Sequence, residues 1–88
     1  MIRIFDDSGK EWHARISYEI GQRTWVDICS KAENGKWLIE YLGKATCHEH
    51  DQWDRKRGRK IAFTRAISKL PRNVRSRFWE AYWAQVNL

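Results

Sequence analysis

Trp12-His13-Ala14-Arg15-Ile16-Ser17-Tyr18-Glu19-Ile20 alternates without a break. Trp12, Ala14, Ile16, Tyr18 and Ile20 fall on one side of an extended chain, and His13, Arg15, Ser17 and Glu19 on the other. The stretch therefore reads as a strand with one buried face. Before it, Ile2-Arg3-Ile4 suggests a short first strand, and Asp6-Asp7-Ser8-Gly9-Lys10 has the composition of a turn. After it, Asn34-Gly35 is the pair that a two-residue type I′ turn prefers; closing a hairpin there sets Ala32 opposite Trp37, Ser30 opposite Ile39 and Ile28 opposite Tyr41 on one apolar face. A three-residue loop Gly21-Gln22-Arg23 sets Tyr18 against Val26 and Ile16 against Ile28, which continues that face across the sheet, whereas a two-residue loop would set Ile16 against Asp27. The opposite face then carries Trp25, Asp27, Cys29 and Lys31 beside Leu38, Glu40, Leu42 and Lys44, a mixed and mostly solvated surface.

Further along, the period changes from two to about 3.6. A helix beginning between Asp51 and Arg59 carries Ile61, Ala62, Ala66, Ile67 and Leu70 on one face, and Pro71 ends it or opens the next. Val74, Phe78, Ala81, Tyr82 and Gln85 make a second stripe, with Trp79 and Trp83 one turn apart beside it. The predicted fold is α+β: a four-stranded antiparallel β-meander followed by two C-terminal helices packed on one face. Residues 1–88 read as a single domain, with the meander over 1–46 and a basic helical hairpin over 51–88.

Seventeen Lys and Arg against eleven Asp and Glu give a formal charge of +6 and a pI near 9.7. The distribution says more than the total. Residues 1–54 hold 7 basic and 10 acidic side chains, whereas residues 55–77 hold 10 basic and none acidic. Such a segment favours a nucleic acid or another acidic partner. Six Trp, three Tyr and three Phe exceed what a core of this size easily hides, so some aromatic surface is expected outside it. No apolar run approaches the roughly 18 residues of a membrane span, and Met1 to Gly9 lacks the order of a signal peptide, so a cytoplasmic location without membrane contact is expected. Cys29 and Cys47 then read as free thiols. Oligomeric state is not written in the sequence.

The candidate binding residues for nucleic acid or an acidic partner are Arg55, Lys56, Arg57, Arg59, Lys60, Arg65, Lys69, Arg72, Arg75, Trp79 and Trp83. Cations in the first turn of a helix oppose its macrodipole, and a sequence that breaks this rule repeatedly invites a functional reason. Phosphate supplies one, because Arg forks and helix N-terminal amides bind it together and Gly58 admits a close backbone approach. The bland alternative is a solvated charged face. Trp79 and Trp83 beside Arg72 and Arg75 have the make-up of a stacking platform, although packing in the core is the commoner role of such a pair.

Cys47-His48-Glu49-His50-Asp51 holds four metal-ligand types, yet a third protein ligand in reach is missing, so no metal and no cofactor are expected; Asp51 or Asp54 serves as a helix cap instead. No Ser or Cys nucleophile is matched to a base, so no catalytic residue is assigned and the chain reads as non-enzymatic.

Thr46 to Ala66, with Cys47-His48, Asp51, Trp53, Gly58-Arg59-Lys60-Ile61-Ala62 and Arg65-Ala66, resembles a motif of small proteins encoded by tailed bacteriophages and prophages. Glu49 or His50 stands where those have Pro, and Trp53 where Phe is commoner. The resemblance covers about a quarter of the chain and implies a phage origin, hence the cytoplasm of a bacterial host. Two functions are compatible with it. One is a non-enzymatic accessory protein that binds the phosphate backbone of DNA or RNA through the basic helix of residues 55–77. The other is an inhibitor of a host defence nuclease, of anti-CRISPR type, docking on an acidic surface or nucleic-acid channel of that protein.

Overall fold

The computed structural model describes residues 1–19, 23–46 and 55–86, apart from the side chain of Val86. The alternation that begins at Trp12 becomes strand β2 (Glu11–Glu19), lying between β1 (Ile2–Phe5) and β3 (Arg23–Lys31), with β4 (Trp37–Thr46) on the far side of β3. All neighbours are antiparallel, so the sheet is the expected four-stranded meander in the order β1-β2-β3-β4. Helices α1 (Arg55–Ile67) and α2 (Arg72–Val86) follow, and the fold is α+β. Both cover one face, α1 against β3 and β4 and α2 against β1.

The core lies between the layers. Ile2, Ile4, Trp12, Ala14, Val26, Ile28 and Ala45 from the sheet meet Ala62, Phe63, Ala66, Ile67, Leu70, Val74, Phe78 and Tyr82 from the helical half in one cluster. Phe63 belongs to the buried face of α1 although its periodic stripe was read without it, and Gln85, placed on the buried face of α2, is exposed. Pro71 opens α2: its carbonyl accepts the Arg75 amide at 3.0 Å, the first bond of that helix. Caps from Asp51 or Asp54 lie outside the described residues.

Two loops have the same construction. Gly9 donates its amide to Asp6 O (3.0 Å) and Asp6 its amide to Lys10 O (2.9 Å); Gly35 donates to Ala32 O (2.9 Å) and Ala32 to Lys36 O (2.8 Å). Each is a three-residue loop in which a turn hands over to a glycine with positive φ, 84° at Gly9 and 82° at Gly35. The Asn34-Gly35 pair therefore does not occupy the centre of a type I′ turn, as expected from sequence. Glu33 and Asn34 are central, and Asn34 Oδ1 accepts the Lys36 amide at 3.0 Å.

That difference moves the register by one residue. Lys31 pairs with Trp37, Ser30 with Leu38 and Cys29 with Ile39, until an irregularity between Ile28 and Cys29 restores the expected pair Ile28–Tyr41. Glu40 is the extra residue, and its Oε1 accepts the Ser30 hydroxyl at 2.6 Å. Trp37 and Ile39 consequently stand on the outer face, away from the helices, and Leu38 on the helix side. Between β2 and β3 the parity argument keeps its faces, but the pairs shift by two: Ile16 meets Val26 and Tyr18 meets Thr24. Three residues, 20–22, separate the last pair, Glu19–Arg23, and lie outside the described residues.

Gly43, opposite Val26, marks where α1 comes closest to the sheet. A Cβ there would overlap the Ala62 carbonyl oxygen and the Ala66 amide nitrogen. The small residues Gly43, Ala62 and Ala66 together allow helix and strand backbones to touch.

Candidate functional site

Helix α1 carries no acidic residue in its first turn, and Glu80 is the single carboxylate on the two helices. Three of the cations in the N-terminal part of α1 lie over aromatic rings. Arg55 lies 4.9 Å over Tyr18, Arg59 lies 5.9 Å over Tyr82, and Lys60 Nζ lies 5.3 Å over Trp83. Arg59 Nε also donates to the Tyr82 hydroxyl at 3.3 Å, and that bond, against the effect of burial, pushes the guanidinium above its ordinary pKa. A half-buried Arg59 is thus part of the packing between α1 and α2 as much as of the surface.

The remaining cations sort by place. Lys56, Arg57, Lys60, Lys69 and Arg72 are exposed, and Arg75 is half-buried. Arg65 reaches back across the sheet edge, where its Nη1 donates to Lys44 O at 2.7 Å. Arg77, left out of the candidate set, binds the Asp7 carboxylate, and Asn73 Nδ2 donates to the same group at 3.1 Å. Those hydrogen bonds and the Arg77 charge hold the Asp7 carboxyl below the usual carboxylate range.

The two tryptophans of the candidate set part company. Trp79 is half-buried, with its ring 5.0 Å from Phe63 and 5.4 Å from Tyr82, both edge-on. Trp83 is 41% exposed; it stacks on Trp79 with centroids 6.1 Å apart and planes at 20°, and Tyr82 meets it edge-on at 5.3 Å. Phe63 and Tyr82 stack at 4.6 Å within the core. An aromatic column therefore runs from the core to the surface along the seam of the helices, and its outermost ring lies beside Lys60. Tyr18, Tyr82 and Phe63 were missed as partners of the basic helix, since nothing local links Tyr18 to a helix that starts 37 positions on, at Arg55.

The outer face of the sheet is different in kind. Arg15 Nη2 pairs across strands with Asp27 Oδ2 at 3.4 Å, and within β2 His13 Nε2 meets Glu11 Oε2 at 2.8 Å. His13 stacks on Trp37 with centroids 4.0 Å apart, over a shallow cavity of about 480 Å³ lined by Met1, His13, Arg15, Cys29, Trp37 and Ile39. Glu11, His13 and Cys29 stand in line there, since His13 pairs with Cys29 in the register. Burial pushes the Cys29 thiol up, which keeps it neutral and opposes its use as a nucleophile. Ile39, Leu42 and Met1 leave exposed apolar surface on this face; Leu42 was expected there, whereas Ile39 was expected on the other face and arrives through the one-residue register change before Glu40.

Cys47, His48 and His50 lie outside the described residues, as does Trp53; among the described residues no three metal-ligand side chains converge. Cys29 forms no disulfide. No helix among the described residues is long and apolar enough to cross a membrane.

Fold and surface together define a small meander capped by a cationic, aromatic-studded pair of helices. Comparison with known proteins finds no family model, no curated protein and no solved structure that matches the chain.

Proposed function

We propose that the chain is a non-enzymatic accessory protein of phage type that binds nucleic acid through its helix layer. The observation that carries this reading is the segregation of charge: from Arg55 to Arg77 ten cations are interrupted by no carboxylate, while residues 1–54 mix 7 cations with 10 carboxylates, some of them paired as Arg15 is with Asp27. Lys56, Arg57, Lys60, Lys69, Arg72 and Arg75 contact phosphates. Among others, Arg55, Arg59, Lys60 and Arg65 combine that task with their contacts to Tyr18, Tyr82, Trp83 and Lys44. Backbone contacts of this sort give affinity with little sequence discrimination. Bacterial cytoplasm is the setting that the motif around Gly58-Arg59-Lys60 suggests.

Each neutralised phosphate releases counterions, so log K falls with log salt at a slope of about −0.7 to −0.9 per contact. Replacing Lys56, Arg57 and Lys60 together by Gln is expected to weaken binding to unrelated sequences alike and to flatten the slope by roughly two to three units. Titration of labelled DNA and RNA at three or more salt concentrations measures this. Absence of binding at low salt would remove the reading.

A second reading is favoured by one observation, the apolar strip of Met1, Ile39 and Leu42 beside Trp37 on the outer sheet face, which suits a protein partner. It is an inhibitor of a host defence nuclease, docking its basic helices on an acidic surface or nucleic-acid channel, with the strip on the opposite side of the sheet as a second protein contact. Its signature is a stable complex with that protein and little affinity for free DNA or RNA.

A further inference from the structure

Resting on the nucleic-acid reading, we infer that Trp83 is a base-stacking platform and that the ligand class is a single strand. Trp83 is the exposed end of the column formed with Trp79 and Tyr82, so its ring is held in place by 6.1 Å and 5.3 Å ring contacts before any ligand arrives. A fixed, half-exposed π-face loses little freedom when a base stacks on it. Lys60 Nζ lies 5.3 Å over the same ring, so a base that stacks there displaces the lysine from the π-face and leaves a cation within reach of its own phosphate. Trp37, the other tryptophan exposed to the same 41%, also has a cation over its ring, Lys31 Nζ at 5.9 Å, but it stacks on His13 at 4.0 Å in a face that carries carboxylates such as Glu11 and Asp27, which repel a phosphate backbone. In a duplex the faces of the bases are already covered by their neighbours, so a platform of this kind has no use there; an unpaired strand offers one face per nucleotide, whatever its sequence.

The test uses two variants of the full chain, Trp83→Leu, which keeps apolar bulk against Trp79 but no π-face, and Trp83→Phe, which keeps a smaller one. Each is titrated with labelled oligo(dT), oligo(U) and a duplex, and thermal unfolding checks that both fold. The wild type is expected to prefer the single strands, Trp83→Leu to lose roughly tenfold or more on them at an unchanged salt slope, Trp83→Phe to lose clearly less, and duplex binding to stay put. Equal losses for Leu and Phe, or no loss for Leu, overturn the platform while leaving nucleic-acid binding intact. Tighter binding of the duplex than of either strand overturns the ligand class. No binding to any of the three probes overturns the reading on which the inference rests.

Discussion

Gly43 fixes the distance between helix and sheet, because the Ala62 carbonyl and the Ala66 amide occupy the space a side chain would need. Backbone atoms cannot swing aside as a flexible side chain can, so Gly43→Ala forces α1 to lift. The expected cost is about 1–3 kcal/mol or more, read as a lowered denaturant midpoint at unchanged m-value. A glycine inside a strand is the local sign of a close approach, and this one sits between Leu42 and Lys44 in a stretch otherwise suited to a strand. What the sequence withholds is the identity of the approaching backbone, which comes from another layer. Arg59 and Arg65 teach the same lesson for the site: their positive charge is legible, but their partners Tyr82 and Lys44 stand 23 and 21 positions away.

Among the elements, strands and helices were legible, whereas the turn at Asn34-Gly35 and the position of the loop between β2 and β3 were not. Alternation in β2 and the helical period in α1 and α2 survive because each buries one face against the same core. The Asn34-Gly35 pair suits two loop types, and the choice fell to the three-residue loop, where Gly35 alone needs positive φ and the Asn34 side chain caps the Lys36 amide. The resulting slip is cancelled at Glu40 by a bulge stabilised by Ser30 across the strands, and no local pattern announces that. Gly35→Ala is expected to cost about 1–2 kcal/mol in chemical denaturation, since open space surrounds the position and only the backbone is strained. Gly35→Asn should cost less, because Asn tolerates the left-handed region better. Equal costs for the two would mean that φ is not what Gly35 supplies.

For the whole molecule, acid resistance depends on how carboxylates are held in the fold. Burial raises the Asp6 carboxyl, but bonds from Ser8 Oγ, Trp12 Nε1 and the Lys10 and Ser8 amides outweigh it and bring the pKa from 3.8 to about 2. A pKa lowered on folding adds stability that is fully present above the unfolded value and is lost as pH falls through the folded one. Wild type should therefore exceed Asp6→Asn in stability at pH 5, with the gap closing between about pH 4 and pH 2, as thermal unfolding across that range would measure. A gap that persists unchanged at pH 2 would assign the effect to the shape of the loop alone. The segregation of cations into the helical half was readable from sequence at this scale, and the place of Trp37 and Ile39 on the opposite face was not.

The seating of α2 on β1, clasped by Arg77 and Asn73 at Asp7, joins segments some 70 positions apart. On a ribosome delivering about 5–20 residues per second, the first hairpin waits roughly 4 to 14 s for that helix. During this interval Ile2, Ile4 and Trp12 have no helical cover, so the nascent chain passes through a stage with a greasy, one-sided sheet. A chaperone that binds exposed apolar strands has its opportunity then, and it loses it when α2 docks.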